Sequence, residues 1–354
     1  MAGIWYTQYL VPHACQPAVV LLAPDSFKGT FTATAVAEAL AVGVGSQGAW
    51  PDRCPVADGG EGTLSVLLSA AGGTIYLAQA HDPLGRPCVG RVGLLAGGSV
   101  AVVETADASG LGLVAEAERD CEAASTRGTG ELLVAAARTG ARRILLGVGG
   151  SATTDGGLGA LEAIRAAGGL GDAELLVLCD VTTPFEDAAH VFGPQKGADV
   201  RAVERLTGRL HTLAARLPRD PRGVPMTGAA GGLSGGLWAA FGATLTPGAP
   251  AVLVAVRFDA RREHATAVVT GEGRIDQQSL AGKLVGEIAR RAARAGVPLH
   301  VVVGRNELDA GSREELAIVS IRETPTLDAI ADAGAAICRE ATAADATDEA
   351  APAL

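Results

Sequence analysis

The fold of this chain is decided by the stretch Leu145-Leu146-Gly147-Val148-Gly149-Gly150-Ser151-Ala152-Thr153-Thr154-Asp155-Gly156-Gly157. The apolar residues before the glycines predict a buried strand, and the small residues 158–167 after them predict a helix. A glycine-rich turn between a strand and a helix directs backbone N–H groups and the positive end of the helix dipole towards an anion. The stretch therefore suits a phosphorylated ligand, although a tight turn with no ligand explains it equally well.

The same order of strand, glycine-rich turn and helix recurs along the chain. After the apolar run 18–23 come Asp25, Ser26 and Lys28, and the next such turn carries Asp58 and Glu61. Alternation of this kind predicts an α/β fold whose parallel strands end at a common edge, where such sheets bind ligands. Further strands are predicted at 100–104, 175–179 (followed by Asp180), 252–256, 267–269 and 299–303, with a hairpin over 74–95.

Composition limits the classes of function. A length of 354 residues favours two domains, and a net charge of −10 gives no reason to expect nucleic acid or an anionic membrane surface. Six scattered cysteines without a Cys-x-x-Cys pair, and no apolar run longer than a strand, favour a reducing, cytoplasmic location. We expect residues 1–17 to be a poorly ordered extension and residues 341–354 to be disordered.

The lysines are few, and all of them lie beside glycines. Lys28, Lys196 and Lys283 are the three lysines among 29 basic residues. An ammonium acts as a compact point charge on phosphate, which an arginine does not reproduce. The bias towards arginine elsewhere therefore favours a functional role for these three lysines over a chance remainder.

Named nucleotide and hydrolase motifs fit poorly. Gly282-Lys283 lacks the upstream glycine of a Walker loop, and residues 147–152 fit only the loose dinucleotide fingerprint, whose acid is misplaced at Asp172. Residues 232–236 have the spacing of a hydrolase nucleophile turn, but no apolar strand precedes them. What remains is a set of strand-end turns that combine carboxylates with lysines. Enzymes of phosphoryl transfer use carboxylates to hold Mg²⁺ or accept a proton, and lysines to bind phosphate groups.

Six long motifs in order resemble the bacterial glycerate kinase family. They are residues 23–29, 56–62, 149–157, 179–182, 192–198, and 270–276 together with 282–283. The resemblance implies two α/β domains: a Rossmann-like parallel-sheet domain from residues 18–75 and 257–340, and an inserted α/β domain from residues 76–256, with the active site in the cleft. It further implies ATP and Mg²⁺ as cofactors and phosphorylation of D-glycerate, in most members to 2-phosphoglycerate.

On this resemblance the strand-end residues receive roles. Asp180 is the first candidate for the base that accepts the proton of the substrate hydroxyl, with Asp58 and Lys28 as further catalytic residues. The remaining predictions assign substrate binding to Asp25, Ser26, Arg127 and Glu61; ATP or phosphate binding to Gly150, Ser151, Asp155, Lys196, Glu272 and Lys283; and Mg²⁺ to Asp155 and Glu61. Which acid is the base and which acids bind Mg²⁺ stays open at this point.

Two other functions compete with this interpretation. The loose fingerprint allows an NAD-dependent hydroxyacid dehydrogenase, and the same turns would serve a non-catalytic protein that binds a phosphorylated ligand. We expect a small-molecule substrate and no nucleic-acid or membrane partner, and a homodimer is compatible with the sequence.

Overall fold

The computed structural model describes residues 17–277 and 283–348. The predicted extension up to residue 16, Gly282 and residues 349–354 lie outside the described residues. The strands are β1 Val19–Pro24, β2 Trp50–Arg53, β3 Thr74–His81, β4 Pro87–Leu95, β5 Val100–Glu104, β6 Arg143–Gly147, β7 Glu174–Cys179, β8 Thr244–Pro247, β9 Ala267–Ile275, β10 Leu299–Asn306 and β11 Ile318–Glu323.

The helices alternate with these strands over most of the chain. They are α1 Ala33–Ser46, α2 Thr63–Ala71, α3 Ala106–Ser109, α4 Arg127–Arg138, α5 Leu158–Ala166, α6 Ala188–Phe192, α7 Val200–Ala214, α8 Leu233–Phe241, α9 Gly248–Ala255, α10 Phe258–Arg262, α11 Leu284–Arg294, α12 Ala310–Glu315 and α13 Leu327–Asp348. The α/β fold class is thereby confirmed. In the described part of the chain, no helix has the length and apolar character needed to cross a bilayer.

Two sheets organise the molecule. The first has five parallel strands in the order β11-β10-β9-β1-β2, and therefore uses both ends of the described chain. The second has six strands in the order β3-β4-β5-β6-β7-β8. Its strands β3 to β5 pair antiparallel, as the predicted hairpin requires, and its remaining pairs are parallel. The domain boundaries given above stay a prediction.

Burial explains the strand sequences. In β1, Leu21 and Leu22 have no exposed surface, because helices cover both faces of the first sheet. Parallel strands covered in this way have continuous apolar runs instead of alternating ones. Strands β6 and β7 of the second sheet follow the same rule, with Ile144, Leu146 and Val177 fully buried. All of these strands end at polar turns, which places the turns at sheet edges.

One expectation about local structure was wrong. Residues 252–256 were predicted to be a strand, but α9 runs from Gly248 to Ala255. A short apolar run does not distinguish a strand from a buried helix, and Pro250 is tolerated in the first helical turn. Helix α13 runs from Leu327 to Asp348, and the disorder expected for residues 341–354 stays a prediction.

Candidate active site

Lys28 and Asp58 join the ends of two neighbouring strands of the first sheet. The Lys28 Nζ lies 3.1 Å from Asp58 Oδ2, and the backbone N–H of Gly60 donates to Asp58 Oδ1 at 2.8 Å. Lys28 stands on a tight turn in which the Phe27 N–H donates to the Phe31 carbonyl at 2.8 Å. The Asp58 carboxylate is the main cause of a raised Lys28 pKa, so the ammonium stays charged.

Two more acids share the field of Asp58. Burial and the negative charge of Asp58 raise the pKa of Asp25 well above its usual value, and the same two causes raise the pKa of Asp180. Lys28 opposes the shift in both carboxyls, and Lys283 opposes it in Asp180. The structure therefore brings five residues predicted from sequence into one electrostatic cluster, drawn from the strand ends of both sheets.

Two cavities flank the turn that carries Lys28. The smaller has a volume of about 280 Å³ and includes Asp25, Glu61 and Ser65 in its wall. The larger has a volume of about 520 Å³ and is lined by Glu272, Lys283 and Arg305, among others. Both cavities are lined by Ser26, Lys28, Thr30 and Phe31. Lys28 thus stands on the boundary between two spaces that two ligands could occupy together.

The larger cavity is the more basic of the two. Its wall contains four cationic side chains and two acidic ones: Lys28, Arg274, Lys283, Arg305, Glu272 and Asp276. Lys283 directly precedes α11, whose N-terminal dipole adds to the positive potential. Such a surface suits a polyanionic ligand.

Several glycines serve close packing between the two sheets. A methyl group on Gly149 would lie 2.6 Å from the Cα of Gly60, and one on Gly147 would lie 2.8 Å from the Gly59 carbonyl oxygen. A methyl group on Gly59 would lie 2.7 Å from the Cα of Gly248. These glycines allow the turn of Asp58 to touch the strand ends of the second sheet, so contact with a ligand is not needed to explain them. Close packing does not explain Gly150, because a methyl group there would lie 3.6 Å from Glu61 Oε2, which is an ordinary van der Waals distance.

Asp155 makes its hydrogen bonds within the protein. Its carboxylate accepts four hydrogen bonds: from the Thr126 N–H at 2.9 Å, the Thr126 hydroxyl at 2.8 Å, the Gly157 N–H at 3.0 Å and the Gly159 N–H at 3.1 Å. These donors fix the start of α5 against the start of α4. The predicted Mg²⁺ and phosphate roles of Asp155 are therefore not supported, and the residue is explained by the structure it holds together.

Lys196 is buried, with 3% of its surface exposed. Its Nζ donates to the Ser151 hydroxyl at 3.0 Å and to the Thr153 carbonyl at 2.5 Å. Burial lowers the pKa of Lys196 to about 7. A neutral amine has two N–H groups, and these two acceptors satisfy both. Lys196 therefore stabilises the glycine-rich turn through hydrogen bonds to Ser151 and Thr153. This structural role does not require the contact with phosphate that was predicted for Lys196 and Ser151.

Arg127 points into a different cluster. Its Nε lies 2.9 Å from Glu131 Oε1, one turn along α4, and the Nδ1 of His81 lies 2.9 Å from Glu131 Oε2. Arg127 lines neither of the two cavities around Lys28. Its predicted contact with the substrate carboxylate is therefore not supported.

The donor chemistry of the larger cavity fits Mg²⁺ bound with a nucleotide. Within residues 17–277 and 283–348, no three His, Cys, Asp or Glu side chains form a group that could hold a metal ion. Mg²⁺ does not need such a group, because one or two carboxylates and the substrate phosphates usually hold it. Glu272 provides a carboxylate beside Lys283 and Lys28.

Two residues in or near the site were missed at the sequence level. Arg305 lines the larger cavity near the end of β10. The apolar strand predicted there ends at Gly304, so Arg305 was not considered as a strand-end residue. Glu104 is 1% exposed at the end of β5, and its Oε1 accepts from the Leu64 N–H at 2.7 Å. The position of Glu104, an acid at the end of an apolar strand, could have identified it from the sequence.

Ser234 belongs to the segment 232–236, which has the spacing of a hydrolase nucleophile turn. Its side chain is buried, and its hydroxyl donates to the Met226 carbonyl at 2.6 Å, which agrees with the rejection of that motif.

Lysines and carboxylates from the strand ends of two α/β sheets, placed around two adjoining cavities, define a phosphotransferase-type enzyme. Residues 20–167 and 165–347 match the family model of the glycerate kinase family, and the chain belongs to that family.

Individual relatives support the assignment over most of the chain. The chain is 36% identical over 331 residues to Glycerate 2-kinase of Escherichia coli K12, with 82% of this chain and 86% of the relative covered. It is 37% identical over 333 residues to Glycerate kinase of Bacillus subtilis 168, covering 83% and 86%. It superposes with a TM-score of 0.78 and 31% identity on a crystal structure from Salmonella typhimurium LT2 described as glycerate kinase 2, covering 93% of this chain and all of that one.

Proposed function

We propose that this protein transfers the γ-phosphoryl group of ATP to D-glycerate, with 2-phosphoglycerate as the product. The observation that carries the proposal is the position of Lys28 between the two cavities, in contact with Asp58. The names of the relatives, glycerate kinase and glycerate 2-kinase, supply the substrate. The larger, basic cavity would hold the triphosphate, and the smaller cavity would hold glycerate.

The two ligands need different surroundings, and the cavities differ accordingly. Lys283, Arg274 and Arg305 would neutralise phosphate oxygens in the larger cavity. The smaller cavity offers hydroxyl groups and the carboxyl of Asp25, which would orient the hydroxyl groups of glycerate. Lys28 borders both spaces and would contact the phosphoryl group as it passes from donor to acceptor. Positioning of this kind is the main source of catalysis in phosphoryl transfer.

Asp180 is the base in this proposal. It directly follows β7, and its burial together with the negative charge of Asp58 raises its pKa. A raised pKa makes a carboxylate a stronger base while it remains ionised, which suits acceptance of a hydroxyl proton. Asp58 would keep Lys28 charged and correctly placed.

Glu272 would hold Mg²⁺ together with phosphate oxygens of the nucleotide. When bound, the ion would neutralise charge on the transferred phosphoryl group. Glu61 as a Mg²⁺ ligand stays a prediction. A cytoplasmic location fits the free cysteines in the described part of the chain, and a homodimer stays a prediction as well.

One assay separates this proposal from its rivals. The protein is incubated with D-glycerate and MgATP, and ADP and phosphoglycerate isomers are followed by chromatography, with a parallel incubation of D-glycerate and NAD. Formation of ADP and 2-phosphoglycerate in equal amounts supports the proposal. A change in nicotinamide absorbance without ADP would instead indicate a dehydrogenase, and binding of ATP or glycerate without turnover would indicate a non-catalytic binding protein.

A further inference from the structure

Glu104 is a buried acid that lies outside both cavities around Lys28. It is the last residue of β5 in the second sheet. Its Oε1 accepts from the Leu64 N–H at 2.7 Å, and its Oε2 lies 3.5 Å from Arg91 Nη2. Leu64 belongs to the first turn of α2, which has Gly62 at its N-cap and therefore no side-chain cap of its own. Glu104, at the end of β5, thus provides the negative charge that the N-terminus of α2 favours.

The first turn of α2 continues directly from the turn of Asp58 and Glu61. The Thr63 N–H donates back to the Gly60 carbonyl at 3.3 Å, so the two turns form one continuous hydrogen-bonded unit. Lys28 holds this unit at Asp58, and the glycine contacts with the second sheet hold its middle. Glu104 is the side chain that holds its far end.

The charges around Glu104 make this anchor dependent on pH. Burial raises the pKa of Glu104 to about 7, and the charge of Asp107 on α3 acts in the same direction. The N–H groups of Leu64 and Gly62 and the guanidinium of Arg91 on β4 oppose the rise. Arg91 is also shared with Asp107, whose Oδ1 lies 2.6 Å from its Nη2, and it interacts with Glu61.

We propose that Glu104 is a positioning residue for phosphoryl transfer, which holds the turn of Asp58 and Glu61 against the second sheet. The proposal rests on the proposed kinase function for its catalytic consequence. A charged Glu104 accepts strongly from the α2 N-terminus. When Glu104 is protonated, the attraction to the helix dipole and to Arg91 is lost, and Asp58 and Lys28 lose their fixed position relative to Asp180.

Kinetics over a range of pH test this role. We compare wild type with Glu104→Gln, which keeps an acceptor for the Leu64 N–H but never carries a charge, between pH 6 and 9. At pH 8 the variant is expected to lose about tenfold in kcat while KM for ATP changes less than about twofold, since the anchor does not touch the nucleotide. The wild-type kcat is expected to rise through a midpoint near 7. The variant should lack this inflection, so the two curves converge at low pH.

Glu174→Gln is the matched control, because Glu174 is an exposed acid at the start of β7 that pairs with Arg143 far from the cavities. It should keep the wild-type profile. A Glu104→Gln enzyme with wild-type kcat and an unchanged inflection would overturn the proposal.

Hydrogen exchange provides a readout that does not depend on activity. At pH 8, residues 58–66 should exchange faster in Glu104→Gln than in wild type, and at pH 6 the two should agree. If wild type makes no phosphoglycerate, the proposed function fails, but this exchange difference still tests the anchor. Should the variant not fold, wild type alone suffices: after correction for intrinsic rates, residues 58–66 should lose protection relative to α7 between pH 8 and pH 6. Constant relative protection would contradict the proposal.

Discussion

The Lys28 ammonium lies 3.1 Å from the Asp58 carboxylate, and this ion pair links two strand-end turns of the first sheet. Together with burial, Asp58 also raises the pKa values of Asp25 and Asp180, so a single carboxylate influences three other charged groups of the cluster, Lys28, Asp25 and Asp180. Because Asp180 belongs to the second sheet, the site exists only while the two sheets keep their contact. Substitutions of the charged side chains test their roles in catalysis, and a substitution at Gly149 tests the contact between the two sheets.

Asp180→Asn should abolish most of the activity. The amide keeps the shape of the side chain but cannot accept the proton of the substrate hydroxyl, and loss of a general base typically lowers kcat by about 10²–10⁴-fold. KM for ATP should stay within about twofold, and steady-state kinetics would measure both constants. Asp172→Asn, at an exposed acid before β7, is the control and should match wild type. A kcat for Asp180→Asn within threefold of wild type would remove Asp180 as the base.

Lys283→Arg should lower kcat/KM for ATP by roughly tenfold or more although the charge is kept. The wider guanidinium would not place its charge where the compact ammonium does, in the larger cavity and within reach of Asp180. The control is Arg294→Lys at the exposed end of the same helix. Equal kinetics for Lys283→Arg and wild type would show that any cation serves at this position.

Lys196 should make the stability of the protein rise with pH. Its pKa is about 7 in the folded protein, compared with 10.5 for an unperturbed lysine. Between these values the unfolded chain holds a proton that the folded protein has released, so the free energy of unfolding increases as the pH rises. From pH 7 to pH 9, wild type should gain about 2 kcal/mol more than Lys196→Met.

Denaturant unfolding at pH 7, 8 and 9 would measure this difference. Lys28→Met is an informative control, because the Lys28 pKa is raised and its contribution to stability is lost only above pH 10. Lys28→Met should therefore leave the slope between pH 7 and 9 unchanged. Parallel curves for wild type and Lys196→Met would show that Lys196 is charged when buried.

Gly149→Ala should destabilise the contact between the sheets. The added methyl group would lie 2.6 Å from the Cα of Gly60, where only backbone could move. Overpacking of this kind costs about 1–3 kcal/mol, and the displaced turn of Asp58 should also reduce kcat. Gly208→Ala in α7 is the matched control, since a methyl group there meets nothing within 4 Å and should stabilise the helix by up to about 1 kcal/mol. A Gly149→Ala protein as stable as wild type would mean that the turn adapts freely.

The residues at the strand ends were well predicted from the amino-acid sequence. Asp25, Lys28, Asp58 and Asp180 follow apolar runs, and the strands of a parallel sheet end at a common edge, so the sequence alone was enough to expect their convergence. Roles that depend on distant partners could not be predicted. Asp155 receives two of its hydrogen bonds from Thr126, and Lys196 is buried by elements that lie far from it in the sequence.

The glycine-rich turns show the same limit. Their glycines have the pattern of an anion site, but the need for small residues at Gly59, Gly60 and Gly149 arises from contact between two sheets, which no local pattern contains. Likewise, the apolar run 252–256 gave no sign that it would be helical, because its periodicity fits both structures.

The most direct test of phosphoryl transfer at Lys28 follows the phosphorylated product by ³¹P NMR in reactions of D-glycerate with MgATP, run side by side with wild type and Lys28→Met. We predict a 2-phosphoglycerate signal that grows with ADP in the wild-type reaction. The rate should be at least about a hundredfold lower in the variant, because the cation that stabilises the transferring phosphoryl group is gone. Equal rates of 2-phosphoglycerate formation by the two proteins would contradict the claim that phosphoryl transfer takes place at Lys28.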